Sequence, residues 1–247
     1  MHLAESPSRH DLVWLSAAGA ASALNGLAAE ERGEVVEWLR LGRPVIRTRD
    51  RPEAPPGRLC LGLPLPPDRG KRRLALSASR SGVAGWRAPP LLAEVIDSAP
   101  CSWREALLGL ELESRALGLP LRVYGSLAWQ YLSGEGYLRE SSDLDLLWSP
   151  ADAAQLRAGL ALLQAWEEGC GLRADGEVLL AVGAVSWREL VQAPPRVLVK
   201  RQGEVLLLPL AFVFDLSATA RAPVSSFPHR PVGTGCEPCT SGEPIRQ

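Results

Sequence analysis

Two pairs of residues near the middle of the chain have the types and spacing for phosphate chemistry. They are Gly125-Ser126, and Asp143 with Asp145 in the run Ser142-Asp143-Leu144-Asp145. In an extended strand side chains alternate. Asp143 and Asp145 therefore project to one side, and Leu144 and Leu146 to the other, into a core. Two carboxylates about 7 Å apart along a strand repel each other unless a cation lies between them. Oxygen-only ligands suit Mg²⁺, which also takes phosphate oxygens. Gly125-Ser126 falls between an apolar strand, Leu121-Arg122-Val123-Tyr124, and a short helix over 127–132. Glycine permits close backbone approach, and helix N-terminal N–H groups receive phosphate oxygens. One element would hold a polyphosphate and the other the metal, which together suit nucleotidyl transfer. Either motif alone occurs by chance; their shared setting carries the reading.

The flanking sequence supplies elements that position these groups. Asp143–Leu147 reads as a strand. Ser102-Trp103-Arg104-Glu105 has the capping-box form and opens a helix that Gly118 and Pro120 stop. A long Ala- and Leu-rich helix runs from Pro150 through Glu168. Residues 172–182 are strand-like, with a hairpin signal at Asp175-Gly176. Asp175 and Glu177 are the acidic residues of this stretch. Asp175 is a turn residue if a hairpin forms, and either residue could face the site if the strand is continuous. Strand-like runs at 196–200 and 205–208 flank another hairpin signal, and Lys200, closing the first, could meet a phosphate.

Upstream, Leu12–Leu15 is a short apolar run. Residues 28–40 have helical spacing with Gly42 just beyond, and Pro44–Arg47 looks like a strand. Prolines at 52, 55, 56, 64, 66 and 67 argue for loop or edge structure, with short strands at Leu59–Leu63 and Arg73–Leu76 about a turn. From about Ala218 the chain is rich in Pro, Gly and Ser, which reads as a disordered tail. The expected class is α+β. A small N-terminal α/β unit (9–98) precedes a mixed sheet flanked by helices (99–212), and a tail follows (213–247).

Composition narrows the partners. The chain has 247 residues with 46% apolar, too many for wholesale disorder, and no apolar run of the ~18 residues a membrane span needs. The formal charge of −1 hides a segregation: Arg40–Arg87 holds 12 basic and 3 acidic residues. Its densest stretch, Arg69 with Lys71, Arg72 and Arg73, suggests a face for anions, with Arg72 and Arg73 as candidate phosphate contacts. The chain's 25 arginines against 2 lysines fit a solvated, arginine-biased surface equally well. No helix-turn-helix, zinc or aromatic RNA motif supports nucleic-acid binding. Five cysteines, an odd number, point to reduced thiols in a cytoplasm, and Cys236-Glu-Pro-Cys239 lacks the partners of a zinc or redox site.

Larger stretches carry a family resemblance. Arg122–Gln130, Tyr137-Leu138 and Ser142–Leu147 closely resemble the phosphoribosyl-dephospho-CoA transferases of malonate decarboxylase, as do Arg9–Leu15, Asp175-Gly176-Glu177, Val185–Leu190 and Pro194–Lys200. The similarity covers roughly residues 9–208. The Gly-Ser and Asp-x-Asp elements are shared with the wider polymerase-β-like nucleotidyltransferases, whereas the tryptophan-containing pieces point to the one family. The resemblance implies transfer of the prosthetic group from 2′-(5″-triphosphoribosyl)-3′-dephospho-CoA to a serine of the apo acyl carrier subunit, with release of diphosphate. It implies Asp143 and Asp145 as the catalytic pair, with Mg²⁺ held by these two and by Asp175 or Glu177. Gly125 and Ser126 would cradle the phosphates. The competing readings are another nucleotidyltransferase, such as an antitoxin-like one, and a carrier-binding module without catalysis.

Overall fold

A computed structural model describes residues 6–70 and 72–215. The N-terminal half is built on five antiparallel strands: β1 (Leu12–Leu15), β2 (Val45–Arg47), β3 (Arg58–Pro64), β4 (Arg73–Ser79) and β5 (Val83–Arg87), in the order β4-β3-β2-β1-β5. Helices α1 (Ala17–Ala23) and α2 (Ala29–Arg40) cover it. Ser16 caps α1 by accepting from the Gly19 amide. Gly42, at φ 70°, follows α2 in the left-handed conformation that ends helices. The unit is thus α+β with an antiparallel sheet, not the α/β unit expected. The prolines correct a second expectation. Strand β3 is an inner strand, and Pro64 closes it while Pro55, Pro56, Pro66 and Pro67 stay outside.

The C-terminal half follows through α3 (Leu92–Val95) and α4 (Cys101–Ala116). The capping box expected at Ser102 does not form. The Pro100 carbonyl accepts from the Trp103 amide at 2.9 Å, so the helix starts at Cys101 and Ser102 lies within its first turn. Next come β6 (Arg122–Tyr124), α5 (Gly125–Ser133), β7 (Leu144–Trp148) and α6 (Ala153–Cys170). Asp152, not Pro150, opens α6, its side chain accepting from the Gln155 amide. The chain continues as β8 (Ala174–Leu180), β9 (Gly183–Ser186), α7 (Trp187–Gln192), β10 (Arg196–Lys200), β11 (Val205–Pro209) and α8 (Leu210–Asp215). The second sheet has the order β11-β10-β9-β8-β7-β6. It is mixed: β7 and β8 are parallel and the other pairs antiparallel.

One face of this sheet is apolar. Val123, Leu144, Leu146, Ala174 and Val178 are buried against Leu107, Leu110, Leu156, Leu160 and Leu190 of the helices. Strand alternation sends their neighbours to the opposite face: Tyr124, Asp145, Asp175, Glu177 and, on β10, Lys200. Helix α5 joins the halves. Leu127 and Ala128 enter this core, while Trp129 enters the N-terminal one and meets Trp38 edge-on at 5.6 Å between centroids. Polar ties reinforce the junction. Arg43 pairs with Glu135 at 2.5 Å, Arg69 bridges Glu135 and Glu34, and the Asp50 amide donates to the Gln202 carbonyl.

Helix α8 carries regular structure to Asp215, into the segment expected as tail; the rest of that segment, with Cys236 and Cys239, lies outside the described residues. Among the described residues Cys60, which is buried, and Cys170, which is exposed, are free thiols. Among the described residues no helix is long and apolar enough to cross a membrane.

Candidate active site

The site forms where β6, α5, β7 and β8 meet. Strand β6 ends at Tyr124, and Gly125 starts α5 with φ 67°. That conformation favours glycine, and so does the space. A Cβ at Gly125 would overlap the Asp145 carboxylate. The Ser126 amide also lies near that carboxylate and favours its charged form. Asp145 therefore rests on the N-terminus of α5, where unpaired amides favour negative charge.

The second carboxylate, Asp143, precedes β7, is partly exposed, and stands 3.5 Å from Arg173 Nε. The third is Asp175. The hairpin expected at Asp175-Gly176 is absent, and the segment is one continuous strand. Gly176 lets it lie flat on β7, since a Cβ there would overlap the Leu146 backbone. In the parallel register Asp175 sits directly beside Asp145. Asp175 is exposed, and its Oδ1 accepts from the Gly176 amide at 2.7 Å.

This crowding has an electrostatic consequence. Burial, then the charges of Asp175 and Asp143, push the Asp145 carboxyl up to about 7, with Arg73 and the Ser126 amide opposing them. An oxygen-only donor set with unbalanced negative charge is what a hard divalent cation neutralises. Asp143, Asp145 and Asp175 therefore fit such an ion in chemistry. Among the described residues, however, no three His, Cys, Asp or Glu side chains are gathered at ligating distance around one point.

Glu177 does not join them. It is 3% exposed, and both its oxygens are engaged. Arg9 donates through Nη1 at 2.7 Å and Nη2 at 2.8 Å, Lys200 Nζ donates at 2.8 Å, and His10 Nε2 stands at 3.2 Å. A buried carboxylate needs such partners. Burial alone would raise its pKa, but these bonds carry it well below the usual range. Glu177, expected as a metal ligand, is thus held by Arg9, His10 and Lys200 and not grouped with the three aspartates, and Lys200, expected at a phosphate, bonds Glu177. Arg72 and Arg73 are both exposed; the charge of Arg73 reaches Asp145 and favours its ionised form, whereas Arg72 stands 3.5 Å from Glu30.

Arg9 and His10 had no assigned role in the sequence. The His10 ring lies over Tyr124 at 4.2 Å between centroids, so the N-terminal segment borders the site. Their one sequence signal is that they open a run shared with the family.

Comparison with known proteins assigns both halves of the chain to one class of transferase. Residues 8–89 match the phosphoribosyl-dephospho-CoA transferase MdcG N-terminal domain, and residues 91–211 match the corresponding C-terminal domain. A relative from Xanthomonas campestris pv. campestris, named phosphoribosyl-dephospho-CoA transferase, is 43% identical over 83% of this chain and 96% of its own. Relatives of the same name from Bradyrhizobium diazoefficiens (38%; 82% and 90%) and Pseudomonas aeruginosa (33%; 69% and 80%) agree. The chain belongs to the phosphoribosyl-dephospho-CoA transferase family. No solved structure matches it.

Proposed function

We propose that the protein transfers the phosphoribosyl-dephospho-CoA group from 2′-(5″-triphosphoribosyl)-3′-dephospho-CoA to a serine of the apo acyl carrier subunit of malonate decarboxylase. The observation that carries this reading is the coincidence of the family match over both halves with a carboxylate face built against Gly125. In the reaction the serine Oγ forms a bond to the phosphorus next to the ribose. The bond from that phosphorus to the bridging oxygen of the diphosphate breaks, and the serine proton leaves to solvent. The mixed sheet, with acidic groups on one face and helices on the other, supports reading it as a nucleotidyltransferase.

Phosphoryl transfer needs positioning and charge neutralisation more than covalent help. Asp143, Asp145 and Asp175 would hold Mg²⁺, which when bound supplies charge neutralisation for the phosphates. Gly125 makes room for the Asp145 carboxylate at the start of α5, and the neighbouring amides of that turn would receive phosphate oxygens beside it. Arg73 adds a guanidinium to the same rim. Donor, carrier and diphosphate leave no part for nucleic acid or membrane, and a donor built on an intracellular coenzyme points to the cytoplasm.

The test is to incubate the protein with Mg²⁺, donor and apo carrier and to weigh the carrier. The expected result is a mass gain equal to the prosthetic group, lost in Asp143→Ala. No gain with the wild-type protein would turn the assignment towards another nucleotidyltransferase or a carrier-binding module.

A further inference from the structure

The transferase reading leaves the Glu177 cluster without a task. One buried carboxylate there gathers two full cations, Arg9 and Lys200. Glu177 neutralises one of them. His10 Nε2 is the third group on this carboxylate, at 3.2 Å. The cluster keeps a surplus positive charge. That charge is reachable, since the side chains of Arg9 and Lys200 are 24% and 35% exposed. Both cations also keep N–H donors to spare after serving Glu177.

Its location is specific. Glu177 follows Asp175 by two residues on β8, so the two side chains share a face about 7 Å apart. Lys200 reaches the same face from β10, and Tyr124, the residue before Gly125, stacks on His10. The surplus cation thus borders the carboxylate site. The N-terminal segment is held there against a local cost. His10 has φ 74°, a conformation that side chains other than glycine rarely adopt. Its amide donates to the Arg47 carbonyl at 2.9 Å, and the Ser8 amide donates to Asp11 Oδ2 at 2.7 Å, fixing the turn. Stability is a weak reason for such a cluster, because buried ion pairs are often no better than apolar packing of the same volume.

We propose that Arg9 and Lys200, gathered by Glu177, form an anion subsite for a diphosphate group beside the carboxylate site. The ligand class rests on the transferase reading. The donor offers a diphosphate at two places: the part of its triphosphate that leaves, and the one linked to pantetheine. Arg9 and Lys200 touch the anion, and Glu177 is a positioning residue that fixes their side chains.

The experiment is calorimetric titration of the full chain, in Mg²⁺ buffer, with inorganic diphosphate and separately with dephospho-CoA. Arg9→Ala and Lys200→Ala should each weaken one of these ligands by about tenfold or more. Glu177→Gln should weaken the same ligand several-fold, and Arg9→Lys should recover much of the affinity missing in Arg9→Ala. Weakening confined to inorganic diphosphate assigns the leaving group to the subsite; weakening confined to dephospho-CoA assigns the pantetheine-linked diphosphate. Unchanged affinity for both ligands overturns the proposal, even where the unfolding temperature falls. Lys200→Met, at the partly exposed end of β10, keeps the test open should the Arg9 variants not fold. Carrier loading by the wild-type protein separates the two levels. Loading with unaltered ligand affinities in the variants removes the subsite and leaves the transferase reading standing, whereas absent loading removes the reading itself.

Discussion

Gly125 and Asp145 occupy space that would otherwise be shared: any Cβ at Gly125 would overlap the Asp145 carboxylate and come within 3.0 Å of the Asp145 Cβ. The start of α5 and the acid on β7 are therefore one device. Turning Asp145 about its Cα–Cβ bond would carry the carboxylate off the start of α5 and still leave the 3.0 Å contact with its Cβ. A substitution at Gly125 is thus read out at Asp145.

Gly125→Ala should lower the carrier-loading rate by roughly a hundredfold, the scale of an ångström-sized misplacement of a reacting group. Alanine must also adopt φ 67°, which costs on the order of 1 kcal/mol. Single-turnover loading and a urea midpoint measured together check this. A full rate with an unchanged midpoint would mean that Asp145 relaxes freely and that its closeness to Gly125 is incidental.

The three aspartates should respond to a divalent cation before any chemistry occurs. Mg²⁺ at a hundred times its dissociation constant stabilises a folded protein by about 2.7 kcal/mol, a rise of several degrees for a chain of this size. Asp143→Asn and Asp145→Asn should lose most of that rise and all carrier loading. Thermal unfolding with and without Mg²⁺ measures the first effect. A wild-type midpoint that ignores Mg²⁺ would count against a metal at this place.

Much of this site was legible in the sequence, for local reasons. The alternation of Asp143-Leu144-Asp145-Leu146 fixes which side chains share a face, and Gly125 before a helical run marks a close approach. The turn signal at Asp175-Gly176 misled because glycine there serves close packing on Leu146 of β7, not reversal of the chain. That packing belongs to the tertiary structure. The surroundings of Glu177 were hidden for a similar reason: its partners Arg9 and His10 stand 168 and 167 residues away, beyond any spacing rule. In the N-terminal unit, proline counting placed β3 at an edge, yet the ring of Pro64 falls only at its last residue.

Arg72 and Arg73 are adjacent, and the structure separates them. Arg73 acts on Asp145, while Arg72 faces an exposed Glu30. Arg73→Glu should raise KM for the donor by about tenfold, the scale of removing a single charge-assisted hydrogen bond. Arg72→Glu should change it by less than about twofold, as expected of an exposed pair. Steady-state kinetics with varied donor decides between them. Equal effects would mean that the whole basic stretch acts through its field and not through one guanidinium.

Asp11 gives a pH dependence of stability separate from the site. Burial pushes its carboxyl up to about 6, against the Ser8 amide that it accepts from and the nearby Arg122 charge. In the unfolded chain the group titrates near 4. Between these values the folded state binds a proton that the unfolded state releases, so this group's contribution to stability falls as pH rises from about 4 to about 6 and is level above that. Asp11→Asn keeps an oxygen for the Ser8 amide and removes the charge. Its stability relative to wild type should therefore be near level at pH 4 and rise by on the order of 2 kcal/mol by pH 7. Urea unfolding of both proteins across this range measures the difference, in which the titration of the distant aspartates cancels. A difference independent of pH would show that Asp11 is solvated in the folded state and titrates as it does in the unfolded chain.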